Sequence, residues 1–210
     1  MYHLPHFKTK DQQEVVEFMK AHPFAMLIGV ADDGVPVATQ VPVLLDEKKG
    51  KLFLTGHIQR KSDHHKALEQ NSQVLIVFTG AHSYVSASWY TNPQVASTWN
   101  YMSVHAKGVL RFLNDEELRL LLDRTTSYFE NNPHSPALMK HIPEDYIQSN
   151  MKAIVAFEVE VHQLDHVFKL SQNRDAESYD RIVQELKQQG GEAATVAQVM
   201  QERKHKQNHL

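Results

Sequence analysis

Residues 98 to 112 constrain the fold more than any other stretch, because their side chains alternate in character along the whole run. Side chains of a strand point to opposite faces in turn. One face collects polar and aromatic side chains, and the other collects apolar ones. The first holds Trp99, Tyr101, Ser103, His105, Lys107 and Arg111, and the second holds Met102, Val104, Ala106, Leu110 and Phe112. The stretch predicts a strand with one face in the core and the other touching a polar ligand that stacks on rings.

Several other segments have the length and pattern of strands. Asp33-Gly34 supplies the positive φ that a hairpin turn needs, and residues 73–80 are apolar on both faces, which predicts cover on both sides. The predicted strands are 24–30, 35–45, 51–56, 73–80, 83–88, 98–112 and 153–164. Short antiparallel strands without a strand–helix–strand rhythm predict a mainly β fold with α, namely a six- or seven-stranded antiparallel barrel or a strongly curled sheet.

Helical patterns flank these strands. Asn114 followed by Glu117 predicts a capped helix that runs to about Phe129, and the other predicted helices are 11–22, 61–70, 176–189 and 193–206. No linker separates the last two helices from the strands. We therefore predict a barrel domain over 1–170 and a C-terminal helical extension of the same domain over 171–210.

Composition narrows the possible partners and location. The 210 residues contain no cysteine, no apolar run of membrane length and no secretory leader, which predicts a cytoplasmic protein without a membrane contact. A net charge of −3 argues against nucleic-acid binding over the whole surface, so any DNA contact would be local. The fourteen histidines do not converge at ligand spacing, and no metal site is predicted.

Residues 55 to 65, TGHIQRKSDHH, combine the end of a strand with the start of a helix. A helix N-terminus presents N–H groups and a positive dipole end, which favour a phosphate. The candidate ligands are Thr55, His57, Arg60, Lys61 and Ser62. A solvated basic turn is the alternative interpretation.

Two further clusters could complete a site for a large flat ligand with a phosphate tail. Ser86, Ser88 and Trp89, with Trp99, His105 and Lys107, could supply ring contacts and hydrogen bonds, although Trp99 and Tyr101 could instead lie in a dimer interface. Lys169, Gln172, Asn173 and Arg174 lie in an irregular segment, which predicts either a functional loop or a helix cap formed by Asn173 or Asp175.

Five motifs, HSYVSASWY, STWNYMSVHAKG, FKLSQNRD, GHIQR and the opening MYHLPHF, resemble the PaiB-type FMN-binding negative transcriptional regulators. The resemblance implies a split β-barrel of the pyridoxine 5′-phosphate oxidase-like type, and a homodimer with FMN between its subunits. It also implies a role in repressing genes.

The wider superfamily places a Ser-Arg-Lys-like phosphate clamp after a strand-ending Thr. Counting from Thr55, the resemblance assigns Arg60 and Lys61 to the last two positions, with Gln59 where Ser would stand. Counting back from the following helix assigns His64, instead of Lys61, to the lysine position of the clamp. We prefer Arg60 and Lys61 because only these two residues bring fixed positive charge. The chain also departs from the family pattern, with Ala87 and Ser97 where proline is usual and Gln40 where histidine is usual.

The candidate ligands from all three clusters together form the predicted cofactor site. No catalytic residue is assigned. The site comprises Thr55, His57, Arg60, Lys61, Ser62, Ser86, Ser88, Trp89, Trp99, His105, Lys107, Gln172 and Arg174. The first functional hypothesis is an FMN-binding repressor that acts through a partner protein or through DNA contact by a basic tail, Arg203, Lys204 and Lys206. The alternatives are an FMN-dependent oxidoreductase, with His82, Tyr84 or His105 as proton donor, and a dimeric binding module without cofactor.

Overall fold

The computed structural model describes residues 4–207, with side chains described as far as His205. The start of the MYHLPHF motif and the Lys206 side chain lie outside the described residues. Seven strands form one sheet in the order β2-β1-β5-β6-β7-β4-β3. They are β1 (Phe24–Val30), β2 (Pro36–Pro42), β3 (Leu44–Lys48), β4 (Lys51–Gln59), β5 (Gln73–Val85), β6 (Thr98–Phe112) and β7 (Ile154–Lys169). The predicted fold class, a mainly β antiparallel split barrel with flanking helices, is confirmed.

Six α-helices are found in the described residues. They are α1 (Gln12–Ala21), α2 (Asp63–Gln70), α3 (Asp115–Glu130), α4 (Glu144–Met151), α5 (Ala176–Gln189) and α6 (Gly191–Gln207), with short 3-10 turns at Pro5–Phe7, Ala87–Trp89 and Met139–His141. The predicted capping box is present, because the Asn114 side chain accepts from the Glu117 N–H and the Glu117 side chain accepts from the Asn114 N–H.

Several predicted strand boundaries were wrong. The predicted strands 73–80 and 83–88 merge into one strand, β5, which ends at Val85, and residues 87–89 form a 3-10 turn instead. The predicted strand 35–45 divides into β2 and β3. β4 and β7 run several residues beyond their predicted ends, and α4 was not predicted. The strand ends differ because pairing with a neighbouring strand satisfies backbone groups whatever the local side-chain pattern. The helix α4 was missed because burial of one face stabilises a helix of weak periodicity.

Two compact units divide the chain. Unit 1 comprises the described part of residues 1–18 with 79–104 and 165–210, and unit 2 comprises 19–78 and 105–164. The core of unit 1 includes Val104, Phe168, Leu170, Ile182 and Met200, and the core of unit 2 includes Leu27, Leu54, Ile76, Phe78 and Phe157. In unit 2, α3 and α4 pack in one apolar cluster with Leu44 and Ala156. The predicted division at residue 170 stays a prediction.

The alternation predicted for β6 is largely confirmed. Met102, Val104, Ala106 and Leu110 are buried, and Trp99 is 52% exposed. Ser103 departs from the pattern, because it is buried on the face predicted to be polar and open.

Candidate functional site

The predicted site residues divide between the two units. Unit 2 contains Thr55, His57, Arg60, Lys61, Ser62, His105 and Lys107, and unit 1 contains Ser86, Ser88, Trp89, Trp99, Gln172 and Arg174.

In unit 2, the turn between β4 and α2 is held by its own side chains. Lys61 has a positive φ of 63°, and Ser62 is the N-cap of α2. The Ser62 hydroxyl accepts the His65 N–H over 3.1 Å and donates to the Gln59 carbonyl over 2.9 Å. Because capping engages the hydroxyl, Ser62 shapes the turn rather than offering an open donor to a phosphate.

Arg60 is anchored to the edge of β7. Its backbone N–H donates to the Ala153 carbonyl over 2.8 Å, and its Nε donates to the Ile154 carbonyl over 3.1 Å. One terminal nitrogen lies 3.5 Å from the carboxylate of Asp115, which is itself mostly exposed. Arg60 thus keeps a fixed stem and a partly exposed guanidinium beside the exposed Lys61, and this pair of cations suits a phosphate dianion.

Strand register brings four predicted residues to one face of the sheet in unit 2. Thr55 lies opposite Glu158 on β7, and Glu158 accepts from the Arg111 guanidinium of β6 over 2.8 Å. Residues two apart along a strand share a face. His57 of β4 and His105 and Lys107 of β6 therefore lie on the same face as Thr55.

Thr55 and His57 have the properties of ligand-binding groups on this face. Thr55 is 4% exposed, and its Oγ1 has no hydrogen-bond partner within residues 4–207. A buried hydroxyl without a partner is costly, and the oxygen of a bound ligand would relieve that cost. Burial lowers the pKa of His57, so near neutral pH it is a neutral hydrogen-bonding group. The donors present here therefore fit a phosphate ester.

In unit 1, three rings form an exposed cluster, termed here the aromatic patch. The Trp99 ring lies 5.6 Å from that of His82 and 6.1 Å from that of Tyr84, between ring centres. Tyr84 is 48% exposed. A cavity of about 350 Å³ is lined by His82, Trp99 and Tyr101. The patch offers flat apolar surface that could cover a ring system or a second protein surface.

Ser86 and its neighbours shape a short turn rather than a set of open hydroxyls. Ser86 caps the 3-10 turn, accepting from the Ser88 N–H, and the two hydroxyls lie 2.8 Å apart. The Ala87 N–H donates to the Ser97 hydroxyl over 2.9 Å. Two of the three departures from the family pattern, Ala87 and Ser97, are therefore linked, because proline at 87 would have no N–H and proline at 97 no hydroxyl.

The KLSQNRD segment is a braced turn at the start of α5. The Gln172 side chain accepts from the Leu170 N–H over 2.7 Å, and its amide donates to the Phe168 carbonyl. Asp175 caps α5 by accepting from the Ser178 N–H over 2.8 Å, so the helix-cap alternative holds for Asp175 and not for Asn173. The Arg174 guanidinium lies 4.0 Å from the ring centre of Tyr90.

The predicted basic tail is part of a folded helix. Arg203 lies in α6 with its side chain 16% exposed and pairs with Glu14 over 2.5 Å. Lys204 pairs with Asp180. The charges of these two residues are therefore engaged within the chain, and Lys206 lies outside the described side chains.

Asn100 and Tyr90 are buried polar residues that the sequence patterns left unassigned. Asn100 is fully buried, and its amide links the Ser171 hydroxyl to the Met200 sulfur. Its position as the one polar residue among the buried, even-numbered residues 100–106 of β6 was a signal that could have identified it. Tyr90 is 3% exposed, and within the described chain its hydroxyl has no partner; no motif indicated this.

Comparison with known proteins gives consistent matches. A family model described as "Putative FMN-binding domain" matches residues 1–163. Protease synthase and sporulation protein PAI 2 of Bacillus subtilis (strain 168) is 29% identical over 208 residues, which cover 99% of this chain and 100% of that protein.

Two solved structures share the fold. The FAD and heme binding protein from Mycobacterium smegmatis superimposes with a TM-score of 0.56 at 18% identity, covering 82% of this chain and 78% of that one. The flavocytochrome Anf3 from Azotobacter vinelandii gives 0.56 at 17% identity, covering 86% and 78%. In the part of the chain that the structure describes, no helix is long and apolar enough to cross a membrane.

Proposed function

The chain belongs to the family of FMN-binding domains, and we propose that it is a homodimeric, FMN-binding repressor of transcription. The cofactor predicted from the motifs, FMN, is confirmed by this membership. The Bacillus subtilis relative is named for protease synthesis and sporulation, which are cellular programmes rather than a reaction. That name supports a regulatory role for a chain matching it over nearly its whole length.

The observation that carries the cofactor assignment is the unpartnered Thr55 hydroxyl on the sheet face that also holds His57. Arg60 and Lys61 would bind the phosphate of FMN, with Thr55 and the neutral His57 as hydrogen-bonding groups. Charge-assisted hydrogen bonds to a phosphate are roughly twice as strong as neutral ones, so the two cations would contribute most of the affinity of this end. FMN, when bound, supplies a redox-active ring that absorbs visible light.

The aromatic patch supports the homodimer. Trp99 and Tyr84 expose about half of their surface each, and aromatic residues are enriched in the cores of protein interfaces. We assign this patch to contact with a second copy of the chain. A second copy would remove two large rings from water, which is favourable by about 25 cal/mol per Å² of apolar surface.

The charges support repression through a partner protein rather than through DNA contact by α6. Arg203 and Lys204 already form ion pairs with Glu14 and Asp180, and the whole chain is negatively charged. Phosphate contacts from few cations give weak DNA binding that falls steeply with salt. A mobility-shift assay at two salt concentrations distinguishes repression through a partner protein from repression through direct DNA contact. Weak DNA binding that is lost at physiological salt supports the partner protein. Tight DNA binding that survives physiological salt would require a DNA-binding surface elsewhere on the protein.

The proposal is tested in two steps. Purified protein should carry visible flavin absorbance or, when apo, should bind added FMN with quenching of Trp89 or Trp99 fluorescence. The levels of repressed transcripts should rise in cells that lack the gene for this protein. They should fall back to their starting level when the wild-type gene is restored. A colourless protein without quenching would contradict the cofactor assignment, and unchanged transcripts with bound FMN would contradict only the repressor role.

A further inference from the structure

A cavity in unit 1 is lined by cations from two helices and a turn. It has a volume of about 270 Å³ and is lined by Leu170, Gln172, Arg174, Tyr179, Arg203 and Lys204, among others. All of these residues follow position 163, where the match to the FMN-binding family model ends. The cavity is thus built by residues beyond that model, although the Bacillus subtilis relative aligns over nearly the whole chain.

The cavity carries excess positive charge. Arg203 is paired with Glu14 and Lys204 with Asp180, whereas Arg174 has no acidic partner in the described chain and lies over the ring of Tyr90. The charge of Arg174 also reaches Lys169, whose pKa is lowered first by burial and then by that guanidinium. Three cations face two carboxylates, so an anion would be attracted here.

One donor at the cavity lacks a partner. Arg203 Nε is buried and makes no hydrogen bond within residues 4–207, although the same guanidinium contacts Glu14 and lies 5.2 Å from the ring centre of Phe168. Buried N–H groups are almost always paired in native proteins. Arg203 therefore has an N–H that no described group satisfies, on a residue that lines the positively charged cavity.

The other polar side chains of the wall, those of Gln172 and Tyr179, bring no negative charge. The Tyr179 hydroxyl donates to the Met200 carbonyl over 2.8 Å, and burial raises the pKa of Tyr179 to about 12. The phenol therefore stays protonated at neutral pH. No acidic side chain is among the described residues that line the cavity.

We propose that this cavity, the α5–α6 pocket, binds the phosphate group of a small phosphorylated metabolite. Two guanidinium groups and an ammonium match a phosphate dianion better than a carboxylate, because arginine forks bind phosphate oxygens in pairs. The volume corresponds to roughly nine water molecules at about 30 Å³ each, which leaves space for a short organic part beside the phosphate. It lies at the low end of the range of about 300 to 1,000 Å³ for ligand pockets, which favours a small metabolite.

The experiment uses FMN-saturated protein, so that a flavin phosphate cannot be the ligand detected. Inorganic phosphate and glycerol 3-phosphate are titrated by calorimetry, with glycerol and with sodium chloride at matched ionic strength as probes of non-specific effects. Saturable binding of both phosphates, without binding of glycerol or chloride, is expected. Absence of saturable phosphate binding would overturn the proposal.

Two variants locate the binding. Arg174→Gln with Lys204→Gln should weaken phosphate binding about tenfold or more, because two charge-assisted contacts are lost. Lys187→Gln with Arg181→Gln, which removes the same charge from the exposed face of α5, should leave the affinity unchanged. Equal affinity in the two double variants would show that general surface charge is responsible, and the pocket would be wrong.

The proposal takes Gln172 and Arg174, predicted from the sequence as cofactor ligands, for this pocket instead, and a third variant separates the pocket from the clamp of Arg60 and Lys61. Arg60→Ala with Lys61→Ala should lose FMN affinity and keep phosphate binding in unit 1. If that variant loses both FMN and phosphate binding while its thermal unfolding is unchanged, the phosphate signal arises from the flavin clamp and the α5–α6 pocket is refuted.

Discussion

The backbone N–H of Thr9 donates to Nε2 of His166 over 2.8 Å, which requires this nitrogen to carry no proton. Lys8 donates from Nζ to the His166 carbonyl, and the His166 ring lies 5.2 Å from that of Phe168. Burial lowers the pKa of His166, as do the charges of Lys8 and Arg203, whereas Glu14 and Asp165 act in the opposite direction. The contact therefore ties the N-terminal segment to β7 only while the imidazole is neutral.

This contact predicts a pH dependence of stability. Because the folded pKa of His166 lies below its ordinary value of 6.5, the unfolded chain takes up the proton first. The stabilisation is fully present above pH 6.5 and is lost as the pH falls from there towards the folded pKa. His166→Gln should flatten the difference in the free energy of unfolding between pH 7.5 and pH 5.5, measured with urea.

His162→Gln is the matched control, since His162 is an exposed residue of the same strand. His57 and His64 also have pKa values lowered by burial and contribute in the same direction in every variant. An equal pH dependence in wild type and His166→Gln would contradict the assigned role of the Thr9 contact.

Removal of the two clamp cations should weaken FMN binding. Arg60→Ala with Lys61→Ala should raise the FMN dissociation constant at least about tenfold, equivalent to about 1.4 kcal/mol, while thermal unfolding of the apo protein changes little. Fluorescence titration measures the affinity. Lys66→Ala with Lys152→Ala removes the same charge from exposed positions of unit 2 and should bind FMN as wild type does. Equal affinities in both double variants would exclude the clamp.

Thr55→Val separates ligand binding from stability. Because the Thr55 hydroxyl has no partner in the described protein, an isosteric apolar side chain should leave the apo protein as stable or more stable. FMN affinity should fall roughly five- to tenfold, as expected for a lost hydrogen bond of about 1 to 1.5 kcal/mol. Urea unfolding and FMN titration are measured on the same preparations, and loss of apo stability would show that the hydroxyl is structural.

Substitution of two glycines by alanine should destabilise the protein to different extents. A Cβ on Gly108 would lie 2.1 Å from the Glu160 carbonyl oxygen, so the backbones of β6 and β7 would have to separate. Gly108→Ala should cost about 3 kcal/mol in the free energy of unfolding. A Cβ on Gly29 would approach most closely the end of the Leu68 side chain, at 2.8 Å, and its three nearest neighbours are all side-chain atoms, so Gly29→Ala should cost less than half as much. Similar losses would contradict this account.

The aromatic patch predicts the assembly state. Trp99→Ser with Tyr84→Ser should shift the protein from dimer to monomer, because two large apolar surfaces would be lost from the interface. Light scattering over a range of protein concentrations measures the mass. Tyr146→Ser, which removes an exposed aromatic residue of α4, should have no effect. A wild-type monomer, or an unchanged dimer in the double variant, would refute the interface.

Local rules in the sequence predicted much of this fold. The Asn114–Glu117 capping box was predicted from two residue types three positions apart, and it is present because capping depends only on the first turn of a helix. The buried face of β6 was predicted because strand alternation places every second side chain on one side. Strand ends were predicted less well, since pairing partners far along the chain decide them.

The sequence alone determined which side chains could bind a ligand, because charge, hydroxyl groups and aromatic rings are properties of each residue. The motifs fix the positions of these residues along the chain. Only the tertiary structure decided which of these groups are engaged and which lack a partner. Arg203 and Glu14 are 189 positions apart, and no local pattern could predict that a residue of a presumed basic tail would line a pocket. The Ser62 hydroxyl is engaged by its own helix, whereas the Thr55 hydroxyl is buried without a partner in the described chain. Burial and hydrogen bonding between distant segments made that difference, and they arise only when the chain is folded.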